Sequence, residues 1–154
     1  MIEFTVHGEP ATQGSKISHA IYNKQGKPVM KNGRVVVVCR ESAKGHAAWR
    51  NLVAETAIYA MKDKELLTGP VSLCITFIRP RSKSHYGSGK NSQKLKPSAP
   101  VYPIVKPDTI KLTRAVEDAL KNIVWNDDSQ VVDHHLYKRF GEHYETLVVV
   151  KEKV

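Results

Sequence analysis

Residues 106–138 read KPDTIKLTRAVEDALKNIVWNDDSQVVDHHLYK, and the folding of this stretch decides the architecture. Its first half has a helical period. Leu112, Val116, Ala119, Leu120 and Ile123 recur at i, i+4, i+7, i+8 and i+11, a single apolar stripe on a helix from near Asp108 to near Asn122. Its last part, about 130–138, reads as a strand, and the connection between them (125–129) is short and polar. Carboxylates therefore stand at both ends of the helix: Asp108 before it, Asp127 and Asp128 after it.

Downstream, a second strand is expected at about 144–151, with Gly141 in the turn. Upstream, residues 79–106 hold Arg79, Arg81, Lys83, Lys90, Lys94, Lys96 and Lys106, several Pro, Gly and Ser, and no acidic residue. Such composition predicts a long, flexible basic loop at 79–107. Gly69-Pro70 introduces a strand over 71–78. Ser42 is expected to cap a helix to about Lys62, with Trp49, Leu52, Val53, Ala57 and Ala60 on its buried face. Asn32-Gly33 signals a type I′ hairpin feeding a strand at 35–39. Residues 8–18 read as a loop, and 2–7 alternate as a half-buried strand. The order β-β-β-α-β-α-β-β, without internal repeats, predicts one α+β domain, a mixed sheet covered by two helices.

Composition narrows the function. The chain has 154 residues, enough for a core that needs no disulfide or metal staple. Cys39 and Cys74 each lie in an apolar run without C-x-x-C spacing, which predicts reduced core thiols and excludes a cysteine zinc site. No apolar stretch approaches the roughly 20 residues of a membrane span, and the start lacks a signal peptide's regions, so a cytoplasmic protein without a membrane partner is expected. The formal charge of +9 favours a polyanion, nucleic acid before membrane.

Acidic residues are scarce, so their positions matter. Mg²⁺ prefers carboxylate oxygens and typically takes one or two of them plus a phosphate. Asp108 and Asp128, on separate elements beside a basic loop, match that demand. The alternative is structural: Asp108 capping the helix, and Asp127-Asp128-Ser129 forming a polar turn. His134 and His135 are adjacent on a strand and point to opposite faces, so they form no tight ligand pair; one is expected in the core and the other solvated. Trp49 and Trp125 read as core anchors, whereas Tyr86 and Tyr102 in the basic loop are stacking candidates.

Lys106-Pro107-Asp108, then Glu117-Asp118-Ala119-Leu120, then Trp125-Asn126-Asp127-Asp128-Ser129-Gln130-Val131-Val132 resemble the signature of the RusA-type Holliday-junction resolvases. Lys138, the segment from Gly8-Glu9-Pro10 to Gln13-Gly14-Ser15-Lys16, and Gly69-Pro70-Val71 extend the resemblance over nearly the whole chain. It implies a dimeric, Mg²⁺-dependent endodeoxyribonuclease for branched DNA, often phage-encoded, with Mn²⁺ expected to substitute. Asp108 matches the family's first aspartate and Asp128 its third. The second falls on Ile110, Lys111 replaces an asparagine, and Arg114 stands where the family has its catalytic lysine. Residues 110, 114 and 117 share one helix face, so Glu117 is a candidate replacement ligand. Asp127 is an alternative ligand, and Asp118 is expected to pair with a neighbouring base.

The expected site therefore comprises Asp108, Asp128, Arg114 and Glu117 for catalysis, with Asp127 a further metal ligand. DNA contacts are expected from Lys16, Arg79, Arg81, Lys83, Lys90, Lys94, Lys96, Lys106, Lys111 and Lys138. Phosphate contacts of this kind position a backbone without reading sequence. The leading reading is a structure-selective endonuclease for four-way junctions, acting as a homodimer. A non-catalytic junction- or DNA-binding protein of the same fold is the alternative. An RNA-binding module fits less well, because no RRM or KH signature occurs.

Overall fold

The computed structural model describes residues 1–14, 16–41 and 45–153. In chain order its elements are β1 (Ile2–His7), β2 (Lys16–Ala20), β3 (Met30–Lys31), β4 (Arg34–Val35), β5 (Val37–Glu41), α1 (His46–Met61), β6 (Val71–Pro80), α2 (Thr109–Leu120), β7 (Val131–Gly141) and β8 (Glu145–Glu152). Four strands form a mixed sheet in the order β1-β8-β6-β7. β1 and β6 flank β8 antiparallel, while β7 runs parallel to β6 at the edge. Parallel neighbours need a crossover, and the basic loop with α2 supplies it. The fold is α+β, as expected.

Alternation explains the core. Ile2, Phe4 and Val6 of β1, Val71, Leu73, Ile75 and Phe77 of β6, and Val148 and Val150 of β8 are buried on one sheet face. Over that face lie Trp49, Val53, Ala57 and Met61 of α1 and Leu112, Val116, Ala119 and Leu120 of α2, all buried. α1 packs on α2 and β1, and α2 on β7. Trp125 is fully enclosed beyond α2, so its loss to alanine is expected to cost about 3–5 kcal/mol. Among the described residues no helix is long and apolar enough to cross a membrane.

Several expectations need correction. Ser42 lies outside the described residues, and α1 starts later, at His46, with Gly45 as its N-cap at φ 76°. Leu52 is 38% exposed, on the flank of α1 instead of its buried face. The segment read as a loop to residue 18 already pairs as β2 from Lys16. The strands of 16–41 do not join the main sheet; they form separate two-stranded ladders, β2 with β5 and β3 with β4. Cys39 is consequently exposed, and Cys74 lies half-buried on the sheet face away from the helices, so neither is a core thiol. Gly141 ends β7 instead of sitting in the turn. Because β7 is an edge strand, both His134 and His135 are exposed and neither enters the core.

The basic loop is not featureless. It holds two single-turn 3₁₀ helices, Lys83–His85 and Gly89–Asn91, and a bridge between Tyr86 and Leu95. Its own cations stitch it. Arg81 donates to the Pro100 carbonyl at 2.7 Å and lies 4.1 Å from the centre of the Phe140 ring, and Lys96 donates to the Ser84 carbonyl at 2.9 Å.

Candidate active site

The entry to α2 is held by two cations from adjacent parallel strands. Phe77 pairs with Lys138 and Arg79 with Phe140, so Lys138 faces the helix side of the edge strand. Its ammonium donates to the carbonyls of Val105 at 2.6 Å and Pro107 at 3.0 Å. Arg79 donates to the Lys106 carbonyl at 3.0 Å. Three consecutive carbonyls are thus fixed, and the Lys106–Pro107 peptide is cis. Burial pushes the Lys138 ammonium below the ordinary lysine value, the Arg79 charge adds to this, and Asp108 opposes it. A cavity of about 30 Å³, room for roughly one water, lies here, lined in part by Glu9, Pro10, Arg79, Pro107, Lys138 and Tyr144.

Asp108 follows directly. It occupies the N-cap position of α2 with extended geometry, yet its side chain makes no capping hydrogen bond. The carboxylate is 61% exposed, with Lys111 Nζ 3.6 Å away. A capping role does not account for this side chain. Ile110 is 63% exposed, and Lys111 and Arg114 are exposed beside it, as the helical spacing predicts. Arg114 packs against Gly14: a Cβ added there would stand 2.5 Å from Arg114 Nη1.

The other end of α2 carries the remaining carboxylates. Asp128 is half-buried, and its Oδ1 accepts from the indole of Trp125 at 2.9 Å. Asp127 is structural: it caps a 3₁₀ turn, Asp128–Gln130, in a capping box with Gln130, and accepts from Lys121 at 2.6 Å. That Lys121 contact, then the Ser129 N–H, holds its carboxyl well below the usual carboxylate range. Glu117 faces β7 and lies 2.8 Å from His134 Nε2, a partner the sequence reading did not anticipate. Asp118, expected to pair with a base, instead accepts from the Gln13 side chain, while its carbonyl takes Arg50 Nη2 at 3.1 Å.

Asp108 does not gather with the carboxylates at the far end of α2. α2 has twelve residues, so Asp108 and Asp128 are separated by about 18 Å of helix at 1.5 Å per residue. The edge strand gives the same measure: Lys138, beside the Asp108 end, is seven residues from Val131, the start of β7, or about 23 Å along a strand. Among the described residues no group of three His, Cys, Asp or Glu is arranged to hold a metal ion. A cation requiring both Asp108 and Asp128 therefore does not fit within one chain.

Of the expected DNA contacts, Lys83, Lys90, Lys94, Lys96 and Lys106 are exposed along the loop. Arg79, Arg81 and Lys138 hold loop carbonyls, and the Lys16 side chain lies outside what is described. Tyr86 is half-buried, and Tyr102 is exposed with Arg139 4.9 Å from its ring centre. The sequence reading assigned nothing to Glu9 or Gln13. Gln13 donates its backbone N–H to the Lys111 carbonyl at 2.9 Å and lies 2.7 Å from His46 Nε2 through Oε1. Only the likeness of segment 8–16 to the family's N-terminal loop pointed toward them.

A family model described as "Endodeoxyribonuclease RusA" matches residues 22–151. The chain is also similar to the "Uncharacterized protein YqaN" of Bacillus subtilis (strain 168), with 31% identity over 151 residues, 98% of this chain and 96% of that protein.

Proposed function

The chain belongs to the endodeoxyribonuclease RusA family, and on that ground we propose that it is a structure-selective endonuclease cutting four-way DNA junctions. The observation that carries the site assignment is Asp108: an exposed carboxylate at a helix N-cap that makes no capping bond, beside clamped cations and a basic loop. Arg114, exposed in the second turn of α2 and one turn beyond Lys111, would meet a phosphate with its guanidinium fork. The exposed loop lysines hold the flanking backbone.

The separation of Asp108 from Asp128 supports a homodimer in this reading. Two copies related by a two-fold axis bring Asp108 of one chain toward Asp128 of the partner subunit, twice, matching the symmetry of a four-way junction. Mg²⁺ or Mn²⁺ is the expected cation for such an oxygen-only set. Glu117 is the less favoured ligand, because His134 engages it.

The alternative, a junction-binding protein without cleavage, draws on the apolar Ile110 standing exposed where the family has an aspartate. Incubating a labelled junction and a linear duplex with the protein in Mg²⁺ and in EDTA decides between them. Paired, metal-dependent nicks confined to the junction support the endonuclease; tight binding with no nicks in Mg²⁺ or Mn²⁺ supports the alternative.

A further inference from the structure

Residues 16–41 form a forked β-arm outside the main sheet. Its stem is the antiparallel ladder of β2 and β5, with Ser18 opposite Cys39 and Ala20 opposite Val37. Beyond the stem three segments meet: Ile21 N–H donates to the Val36 carbonyl at 3.0 Å, Val29 to Ile21 at 2.7 Å, and Val36 to Val29 at 2.8 Å. Two hairpins leave that point. One closes over 23–27, where the Asn23 carboxamide oxygen accepts from the Gln25 and Lys27 N–H groups at 2.9 and 3.0 Å. The other closes through Asn32 and Gly33, at φ 51° and 73°, between β3 and β4.

The arm has the chemistry of a surface waiting for a polyanion. Over residues 16–41 there are six Lys or Arg against one acidic residue, Glu41 at the base of the stem, a large part of the formal charge of +9. Each tip carries two exposed cations, Lys24 with Lys27 and Lys31 with Arg34. Among its described side chains the arm has almost no core of its own. Tyr22 is 62% exposed and Met30 54%, and isolated hairpins are marginal in water. Its root lies at the proposed site, because Gln13 bonds to Lys111 and Asp118 of α2 and Gly14 lies against Arg114. A two-stranded ribbon also has the width that a major groove accepts.

We infer that this arm is a second DNA-binding element, whose tips grip phosphates of a junction arm through Lys24, Lys27, Lys31 and Arg34. Tyr22 and Met30 then lie on the sugar and base surface between the tips. The inference rests on the reading of the protein as a DNA-cutting enzyme and adds a contact surface separate from the loop at 79–107.

The test is junction binding in EDTA by full-length wild type and a variant combining Lys24→Gln, Lys27→Gln, Lys31→Gln and Arg34→Gln. Affinity is measured from about 50 to 200 mM salt, where each duplex phosphate contact contributes a slope near −0.9. The expected result is a slope flatter by about 3–4 and at least a tenfold weaker complex, with unchanged sedimentation and melting temperature. Each tip pair replaced alone gives about half that change in slope, which keeps the test valid should the fourfold variant misfold. Unchanged slope and affinity overturn the inference. So does a variant that sediments as a smaller species, because the arm then joins two copies of the chain. Wild-type cleavage in Mg²⁺, measured alongside, separates this inference from the reading beneath it. Arm-dependent binding without cleavage upholds the arm and refutes the nuclease; cleavage with arm-independent binding does the reverse.

Discussion

The Lys138 ammonium donates a 3.0 Å hydrogen bond to the carbonyl of Pro107, the residue before Asp108. A side chain in the edge strand thereby sets the path by which the chain enters α2. Hydrogen bonds to charged groups contribute roughly 1.5–3 kcal/mol, and partial exposure of Lys138 places it near the lower end. Lys138→Met keeps the length of the stem and removes the donor. Urea denaturation is expected to report a loss of about 1–2 kcal/mol, and junction cleavage to fall with it. Unchanged stability would mean that the carbonyls of 105–107 are held without this lysine.

Acid stability tests the Asp127 cap. Its folded-state pKa is depressed, first by Lys121 and then by Ser129. The stabilisation is therefore complete above the unfolded-state value near 3.9 and disappears as pH falls through the lower folded value. Asp127→Asn is expected to be less stable than wild type at neutral pH, with the two melting curves converging in strong acid. A stability gap that persists in strong acid would show that the asparagine costs something other than this charge.

Ile110→Asp returns a carboxylate to the first turn of α2. The site is 63% exposed, so stability should change by no more than about 0.5 kcal/mol. Junction cleavage in Mg²⁺ is expected to rise on the order of tenfold. An unchanged rate would remove position 110 from the site of this chain.

Gly14→Ala addresses Arg114 without altering it. Gly14 has φ 98°, and an added Cβ would meet Arg114 Nη1 at 2.5 Å. Backbone strain of roughly 1 kcal/mol is expected. The guanidinium must also move, so cleavage should drop further than the melting temperature explains. Loss of stability with full activity would take Arg114 out of the reaction.

The parts of the fold with a buried face were legible in the sequence. Leu112, Val116, Ala119 and Leu120 set the buried face of α2 because a sheet covers them, and the apolar run at 71–78 marked the central strand for the same reason. The forked arm was legible only in part: the Asn32-Gly33 turn and the strand expected at 35–39 signalled it, the latter split into β4 and β5, but no buried face fixes the register of the rest. The Glu117–His134 contact joins a helix to an edge strand, a relation that local periodicity does not contain. The separation of Asp108 and Asp128 was implicit in twelve helical residues between them, yet reading both as ligands of one ion passed over that length. The missing cap bond of Asp108 depends on side-chain rotation and could only be seen in three dimensions.

A mixing experiment tests the shared-site endonuclease most directly. Asp108→Asn and Asp128→Asn, each alone, are expected to leave a labelled four-way junction uncut in Mg²⁺. After co-refolding, half of the dimers pair one of each, and each of those holds one intact Asp108–Asp128 site. The mixture should regain about a quarter of wild-type nicking, as single cuts and not paired ones. No recovery, from variants that still dimerise and bind the junction, would contradict a site shared between two chains. Full cleavage by either variant alone would remove that carboxylate from the site.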